Sequence, residues 1–280
     1  MSSNIDLHIH TVYSDGTDTP EVLINTLKIY NIDTFAICDH DTVDGCKVLS
    51  TIDLHGMNFL CGVEFSCITE FKKCHILGLG IDIYNQHISE VINEAAKLRT
   101  DKLHYRLNYL KENYNIVFSD DDVFELTKFN SVGKPHIAHL LIKYGYAENI
   151  DTAISNYLKL PVKNDRVDAK TAIAAIKAAG GVPIWAHPLG GEGEHRLTEE
   201  FFYKQLYILI DAGICGLECY YSRYDSVDIN FLLSAADKCQ LYISGGSDYH
   251  GKNKKISPGQ LSSEDLYIKK EDLTVLNEVI

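Results

Sequence analysis

The sequence predicts an α/β protein: a β/α barrel interrupted by an all-helical insertion. Three observations carry this expectation. Short apolar runs of strand type recur between helical patterns, the alternation lapses once into helices alone, and polar side chains stand at the ends of the strand runs.

The strand-type runs are Ile5 to Ile9, Thr34 to Cys38, Phe59 to Val63, Ile76 to Ile81, Val182 to Ala186, Gly216 to Tyr220 and Leu241 to Gly245. The first helix is well marked. Thr19 suits the N-cap, Pro20 the first helical position, and Leu23, Leu27 and Tyr30 supply an apolar stripe at i, i+4 and i+7 that ends near Asn31. From about Asn85 the rhythm becomes helical only, opening on a long stretch with Leu103, Leu107 and Leu110 at i, i+4 and i+7. Shorter helices are expected over Asp120 to Lys128, His136 to Tyr144 and Asp151 to Leu160, separated by Gly133, Lys134, Pro135 and Gly145. A helix over Asp168 to Ala179 closes on Gly180 and Gly181, after which strands resume. The expected division is a first barrel part over 1–84, a helical insertion over 85–168 and a second barrel part over 169–280.

A chain of 280 residues with 45% apolar content can bury a large core without disulfide or metal staples. Its eight cysteines, Cys38, Cys46, Cys61, Cys67, Cys74, Cys215, Cys219 and Cys239, form no CxxC knuckle and read as reduced, mostly buried thiols. Cys215 and Cys219 share a strand run, where their spacing reads as packing. A net charge of −13 argues against coating long nucleic acid, which needs clustered Lys and Arg, but is compatible with small phosphorylated substrates. The first residues, MSSNIDLHIHTVYSDG, lack a basic and an apolar leader region, and no run approaches the roughly 18 apolar residues of a membrane span. The expectation is therefore a cytoplasmic protein with no membrane partner.

The chemistry gathers at strand ends. His8 and His10 close the first run, and the period of two puts both imidazoles on one face, where they can share an ion. Asp15 follows in a Ser-Asp-Gly turn able to carry its carboxylate back over the strand end. The second run leads straight into Asp39, His40 and Asp41, and the third into Glu64. His75 opens the fourth, His187 closes the fifth, and Asp248 with His250 follow the last. Each alone has a plain alternative: an exposed or core histidine, an Asx turn, a strand-end cap. Together they fall where β/α barrels collect catalytic groups. Six imidazoles and three carboxylates without a thiolate suit Zn, Mn or Fe(II), and nine ligands are too many for one ion, so two to three divalent ions are expected.

The set His8-x-His10, Asp15, Asp39-His40-Asp41, Glu64, His75, His187-Pro188 and Asp248-x-His250 resembles the polymerase and histidinol phosphatase (PHP) family, in order and across nearly the whole chain. The insertion after His75 and the phrases GKPHIAHLL and GGSDYH are similar to the branch of 3′,5′-nucleoside bisphosphate phosphatases that also trim RNA from its 5′ end. The resemblance implies a distorted seven-stranded β/α barrel and a trinuclear site. By the same resemblance His8, His10, Glu64 and Asp248 would hold one metal; Glu64, His75 and His187 a second; Asp15, His40 and His250 a third.

Two positions depart from many relatives, which carry Arg where this chain has Lys134 and His139. Lys cannot make the bidentate fork of Arg, so phosphate placement is expected to differ. His136 matches the family pattern. Lys134, His136 and His139 are candidate phosphate contacts, or simply a basic helix start. Arg196, in the polar segment from Glu192, and Arg223 are candidates for a second phosphate. Tyr220 and Tyr221 are candidates to stack on a base or to pack in the core. Lys252, Lys254 and Lys255 line the entrance or form solvated surface.

The implied reaction is hydrolysis of a phosphate monoester, with Asp41 or a histidine such as His187 protonating the leaving group. The expected substrate is the 3′-phosphate of a nucleoside 3′,5′-bisphosphate, with 5′ ends of short RNA as a related activity. The alternatives are a histidinol-phosphate phosphatase and a non-catalytic metal-binding module whose ions are fully coordinated.

Overall fold

The strand-type runs are strands, and the sheet they form curls until its ends nearly meet. The computed structural model describes residues 4–128, 132–160, 165–191, 194–261 and 266–280. The strands are β1 (Asn4–Ile9), β2 (Ile32–Ile37), β3 (Asn58–Ile68), β4 (Lys73–Leu79), β5 (Val167–Asp168), β6 (Val182–Trp185), β7 (Gly216–Tyr221) and β8 (Tyr242–Gly246). They follow the order β1-β2-β3-β4-β6-β7-β8, with β5 added beside β3. The chain after β8 returns to β1: the Asp248 N–H donates to the His8 carbonyl at 2.9 Å and the His10 N–H to the Tyr249 carbonyl at 2.9 Å. The expected seven-stranded, distorted barrel is thus the path of the sheet, and the two-residue β5 is an addition too short to leave a sequence period.

The distortion has a definite cause. β4 is antiparallel to both β3 and β6, while β1-β2-β3 and β6-β7-β8 pair in parallel. A residue early in β4 therefore sits at the same end of the sheet as residues late in the parallel strands. That is how His75, near a strand's start, reaches a site built from strand ends; it pairs across the ladder with Ser66 of β3.

Alternation along β2 separates two apolar clusters. Phe35 and Ile37 join the larger, under helices α1 (Pro20–Ile29) and α2 (Asp44–Leu49); Ala36 and Cys38 join the smaller, on the other face. α1 starts as its sequence requires, with Pro20 in its first turn and the Thr19 hydroxyl accepting the Val22 N–H.

α3 (Gln86–Tyr114) links the barrel to the helices α4 (Asp120–Thr127), α5 (Lys134–Lys143) and α6 (Ile150–Tyr157). Its first half packs Ile88, Val91 and Ala95 into the large barrel cluster. Its second half gives Leu103 and Leu110 to a separate cluster with Ile116, Phe118, Ile137 and Leu141. Between them Arg99, Lys102 and Arg106 are buried although charged. The chain then returns through β5 and α7 (Ala169–Ala178), capped by Asp168, whose carboxylate accepts the Thr171 N–H at 2.9 Å. α8 (Glu199–Ala212) and α9 (Ser226–Cys239) cover the rest of the sheet. Among the described residues no helix is long and apolar enough to cross a membrane.

Candidate metal centre and the basic wall above it

Glu64 is the hub of the site. Its Oε1 lies 2.9 Å from His75 Nδ1 and 3.0 Å from His187 Nε2; its Oε2 lies 3.0 Å from His40 Nδ1, 3.3 Å from His10 Nε2 and 3.4 Å from His8 Nε2. One buried carboxylate thus touches five imidazoles. Asp248 Oδ1 lies 3.2 Å from His10 Nε2 and 3.6 Å from His8 Nε2, and Asp15 Oδ1 lies 3.2 Å from His250 Nε2. The nine side chains picked from the sequence all stand in this nest.

The backbone that delivers them is unusual. Asp41, His187 and Asp248 have positive φ of 54°, 30° and 57°, a region that disfavours side chains other than Gly and is held only by surrounding structure. A Cβ on Gly246 would lie 2.2 Å from the His8 Cβ, so the second glycine of GGSDYH lets the last strand close on the first. The turn carrying Asp15 is pinned by Asp39, which accepts the Thr11 N–H at 2.8 Å, the Thr11 hydroxyl at 2.7 Å and the Ser14 hydroxyl at 2.6 Å.

Burial would raise the carboxyl of Glu64, yet His40, His75 and His8 hold it well below the usual carboxylate range. Asp15 is likewise kept low against burial by His40 and His250, and Asp248 by Lys254 and His8. In return, and against its own burial, His10 is pushed up to about 9 by Asp248 and Glu64, and His8 is raised by Glu218 and Glu64. Burial lowers His75 to about 4. The nest is a set of anions whose positive charge is supplied by protons on imidazoles, the charge a divalent cation would bring instead.

The donor set fits such ions. Ligand atoms lie within 4.8 Å of one another in three groups: His10, Asp15, His40 and His250; His8, His10 and Asp248; His40, Glu64 and His75. Two of these atoms, Asp15 Oδ1 and His40 Nδ1, are buried and lie against other side chains of the nest, His250 and Glu64, without hydrogen-bond geometry. His187 stands outside these groups but meets Glu64 Oε1 beside His75.

Above the nest lies a cavity of about 520 Å³, in the range of small-molecule sites. Its floor includes Asp15, His40, Glu64, His75, His187, Asp248 and His250; its wall includes Arg99, Lys102, Arg106, Lys134, Lys159 and Arg166. α6 contributes Ile150, Asp151, Ile154 and Ser155. Arg106 Nε and Arg166 Nε are buried and have no hydrogen-bond partner among the described residues. Asp165 meets Lys73 at 2.7 Å and Lys102 at 3.0 Å. The crowding is visible in the cations: burial, then Arg99, push Lys102 down to about 7, and burial, then Arg99, push Arg106 to about 10.

Some expectations meet a different geometry. Asp41 does not line the cavity: its Oδ1 accepts the Ser66 N–H at 2.8 Å, its Oδ2 takes the Arg99 guanidinium, and against burial Arg99, His40 and the Ser66 N–H together hold it low. Asp41 is therefore a buried carboxylate set beneath the wall, paired with Arg99 and away from the cavity. His187 does line the cavity, raised against burial by Glu64. Of the basic candidates, Lys134 lines the cavity; His136, His139, Arg196 and Arg223 are not among its lining residues. His136 Nδ1 accepts the Gly133 N–H at 3.1 Å, His139 and Arg223 are exposed, and Arg196 pairs with Asp228. Tyr221 is buried and its hydroxyl donates to Asp248 Oδ2 at 3.1 Å, so it does not offer a stacking face. Lys254 lines the cavity and pairs with Asp248 Oδ2. Glu192 and Gly193, in the segment leading to Arg196, lie outside the described residues.

Sequence reading missed Arg99, Lys102, Arg106, Arg166 and Glu218. The first three had a signal: they repeat at i, i+3 and i+7 on one long helix, the spacing of one face. Arg166 stands alone and carried none. Glu218 is a carboxylate inside an apolar strand run, a placement that needs partners.

A floor able to hold divalent cations under a wall crowded with cations of its own is what phosphoester hydrolysis by metal ions requires, and the protein is of that class, a metal-dependent phosphoesterase. The chain belongs to the PHP domain family, whose sequence model matches residues 6–167. It is 29% identical over 255 residues to a 5′-3′ exoribonuclease of Haemophilus influenzae, covering 89% of this chain and 91% of that one. It is 26% identical over 264 residues to a phosphoribosyl 1,2-cyclic phosphate 1,2-diphosphodiesterase of Eggerthella lenta, covering 90% and 95%. It is 26% identical over 254 residues to a 3′,5′-nucleoside bisphosphate phosphatase of Chromobacterium violaceum, covering 89% and 87%. Among solved structures, one named only by class as a metal-dependent phosphoesterase, from Bifidobacterium adolescentis, superposes with a TM-score of 0.83 at 28% identity, over 100% of this chain and 96% of that one.

Proposed function

We propose that the protein removes the 3′-phosphate from nucleoside 3′,5′-bisphosphates, with trimming of short RNA 5′ ends as a related activity. The observation that carries this reading is a pair of guanidiniums in the wall, Arg106 buried and Arg166 half-buried, whose Nε atoms are both buried and have no hydrogen-bond partner among the described residues. A buried donor without an acceptor is costly, and two beside further cations make a site for a multiply charged anion distinct from the one on the floor. A substrate with two phosphates satisfies both. The names of the Chromobacterium and Haemophilus relatives support the reading; that of the Eggerthella relative points to a phosphoribosyl cyclic diester, which also carries two phosphates but lacks the base that the apolar residues of α6 would meet.

Two to three divalent ions, of the Mn, Fe or Zn type that imidazole and carboxylate donors favour, are assigned to His8, His10, Asp15, His40, Glu64, His75, His187, Asp248 and His250. Such ions supply Lewis acidity toward the phosphoryl oxygens and lower the pKa of water. The chain's own residues do the rest. Arg106, Arg166, Lys102 and Lys134 hold the non-reacting phosphate and fix the reacting one over Glu64. Asp41 keeps Arg99 turned to the wall. Ile150 and Ile154 of α6 offer apolar surface to the nucleoside. The boundaries 85–168 describe the cap that brings this wall over the barrel.

The test is phosphate release from adenosine 3′,5′-bisphosphate by protein loaded with Mn(II), beside histidinol phosphate, a 5′-phosphorylated RNA oligomer, a phosphoribosyl cyclic phosphate and a His8→Ala control. The bisphosphate is expected to give the highest kcat/KM, and the control none. Faster turnover of histidinol phosphate or of the cyclic diester would overturn the substrate while leaving the phosphoesterase standing.

A further inference from the structure

We propose that Glu218 is a positioning residue that makes two metal ligands competent at once, fixing the ring tautomer of His8 and the backbone of His187. The inference rests on the metal-centre reading above. Glu218 sits in β7 between Leu217 and Cys219, which both belong to the large apolar cluster, and none of its surface reaches solvent. A carboxylate buried there needs a partner for each oxygen. It has one for each: Oε1 lies 2.8 Å from His8 Nδ1, and Oε2 accepts the His187 N–H at 2.7 Å.

Each bond has a consequence at the nest. With the His8 proton on Nδ1 and donated to Glu218, Nε2 carries the lone pair, and Nε2 is the atom facing Glu64 Oε2 at 3.4 Å and Asp248 Oδ1 at 3.6 Å. His187 has a φ of 30°, where a side chain is disfavoured, and its amide must be held to keep the ring over Glu64. Because one carboxylate serves both, the two imidazoles, stacked with centroids 6.0 Å apart, are placed relative to each other.

This double role makes a sharp requirement. Glu218→Gln keeps the shape but offers one acceptor and one donor. If the amide oxygen faces the His187 N–H, the NH2 faces His8 Nδ1 and drives the proton to Nε2, removing the ligand atom. If the oxygen faces His8, the NH2 confronts the His187 N–H, donor against donor.

The experiment is a two-bond 1H–15N spectrum of zinc-loaded wild-type protein, with metal content and affinity for wild type and E218Q. Wild type is expected to show His8 protonated at Nδ1 and ligated through Nε2. E218Q is expected to bind metal about 10- to 100-fold more weakly, with kcat falling and KM for the bisphosphate little changed. Zinc bound by wild type with the His8 proton on Nε2, or E218Q with unaltered metal affinity and tautomer, overturns the proposal. Should E218Q not fold, the wild-type spectrum alone decides. A wild-type protein that takes up no zinc sinks the metal reading itself, and this inference with it.

Discussion

The floor and the wall of the cavity are built by different means. The floor comes from strand ends and the turns after them, with each side chain fixed by a local rule: a period of two, a turn, a strand that runs backward. The wall comes from the middle of α3, joined by Lys134, Lys159 and Arg166, and is brought over the floor because α3 spans the barrel cluster at one end and the cap cluster at the other. The floor gathers carboxylates and imidazoles suited to cations, and the wall gathers guanidinium and ammonium groups suited to anions, so each is completed by a different part of one substrate and its ions.

Removing the hub should separate them most cleanly. Glu64→Gln takes charge from the carboxylate that meets five imidazoles. Activity is expected to fall more than the roughly 100-fold typical of losing a residue that only supports a ligand. Metal analysis should show fewer ions per chain, while binding of a non-hydrolysable bisphosphate to the wall persists in part.

Asp41→Asn strikes the wall from below. It leaves the buried Arg99 guanidinium without its counter-charge, and breaking such a pair from one side costs about 3–5 kcal/mol. Denaturant unfolding should show this loss; a change within 0.5 kcal/mol, the size expected of an ordinary surface substitution, would mean that Asp41 does not anchor Arg99.

Leu103→Ala empties part of the cap core and should cost about 2–5 kcal/mol. If floor and wall are independently built, metal content stays at the wild-type level while KM for the bisphosphate rises. Loss of metal in this variant would break the distinction.

The smallest effect is a matter of pH. Lys102, pushed down to about 7 by burial and Arg99, with Arg166 and Arg106 adding and Asp165 opposing, is charged below that value and neutral above it. KM for the bisphosphate should therefore climb several-fold as pH rises through about 7, and Lys102→Arg, which stays charged, should flatten the climb. For stability the sign is opposite: the depressed lysine is a cost below pH 7 that is relieved as pH rises toward its unfolded value.

The same contrast explains what was legible in the sequence. His8 and His10 share a face by strand geometry alone, and Asp39, His40 and Asp41 interrupt an apolar run where a strand must end. β4 could be read as a strand, but not as a reversed one; that reversal is what turns His75 from an opening residue into part of the floor. Arg196 and Arg223 looked like phosphate ligands because they follow site motifs in the chain. They lie off the cavity because the loops after strand ends also cover the outer surface. Arg99, Lys102 and Arg106 were spaced on one helix face, yet which way that face turns depends on how α3 docks at both ends.

The central claim is that floor and wall read two phosphates of one substrate. The most direct measurement is kcat/KM for adenosine 3′,5′-bisphosphate and for adenosine 3′-monophosphate, in wild type and in Arg106→Ala. Losing a hydrogen bond to a charged group is worth about 1.5–3 kcal/mol, so the bisphosphate should lose roughly 10- to 150-fold while the monophosphate changes little. An equal loss for both substrates, or none for either, would contradict the account.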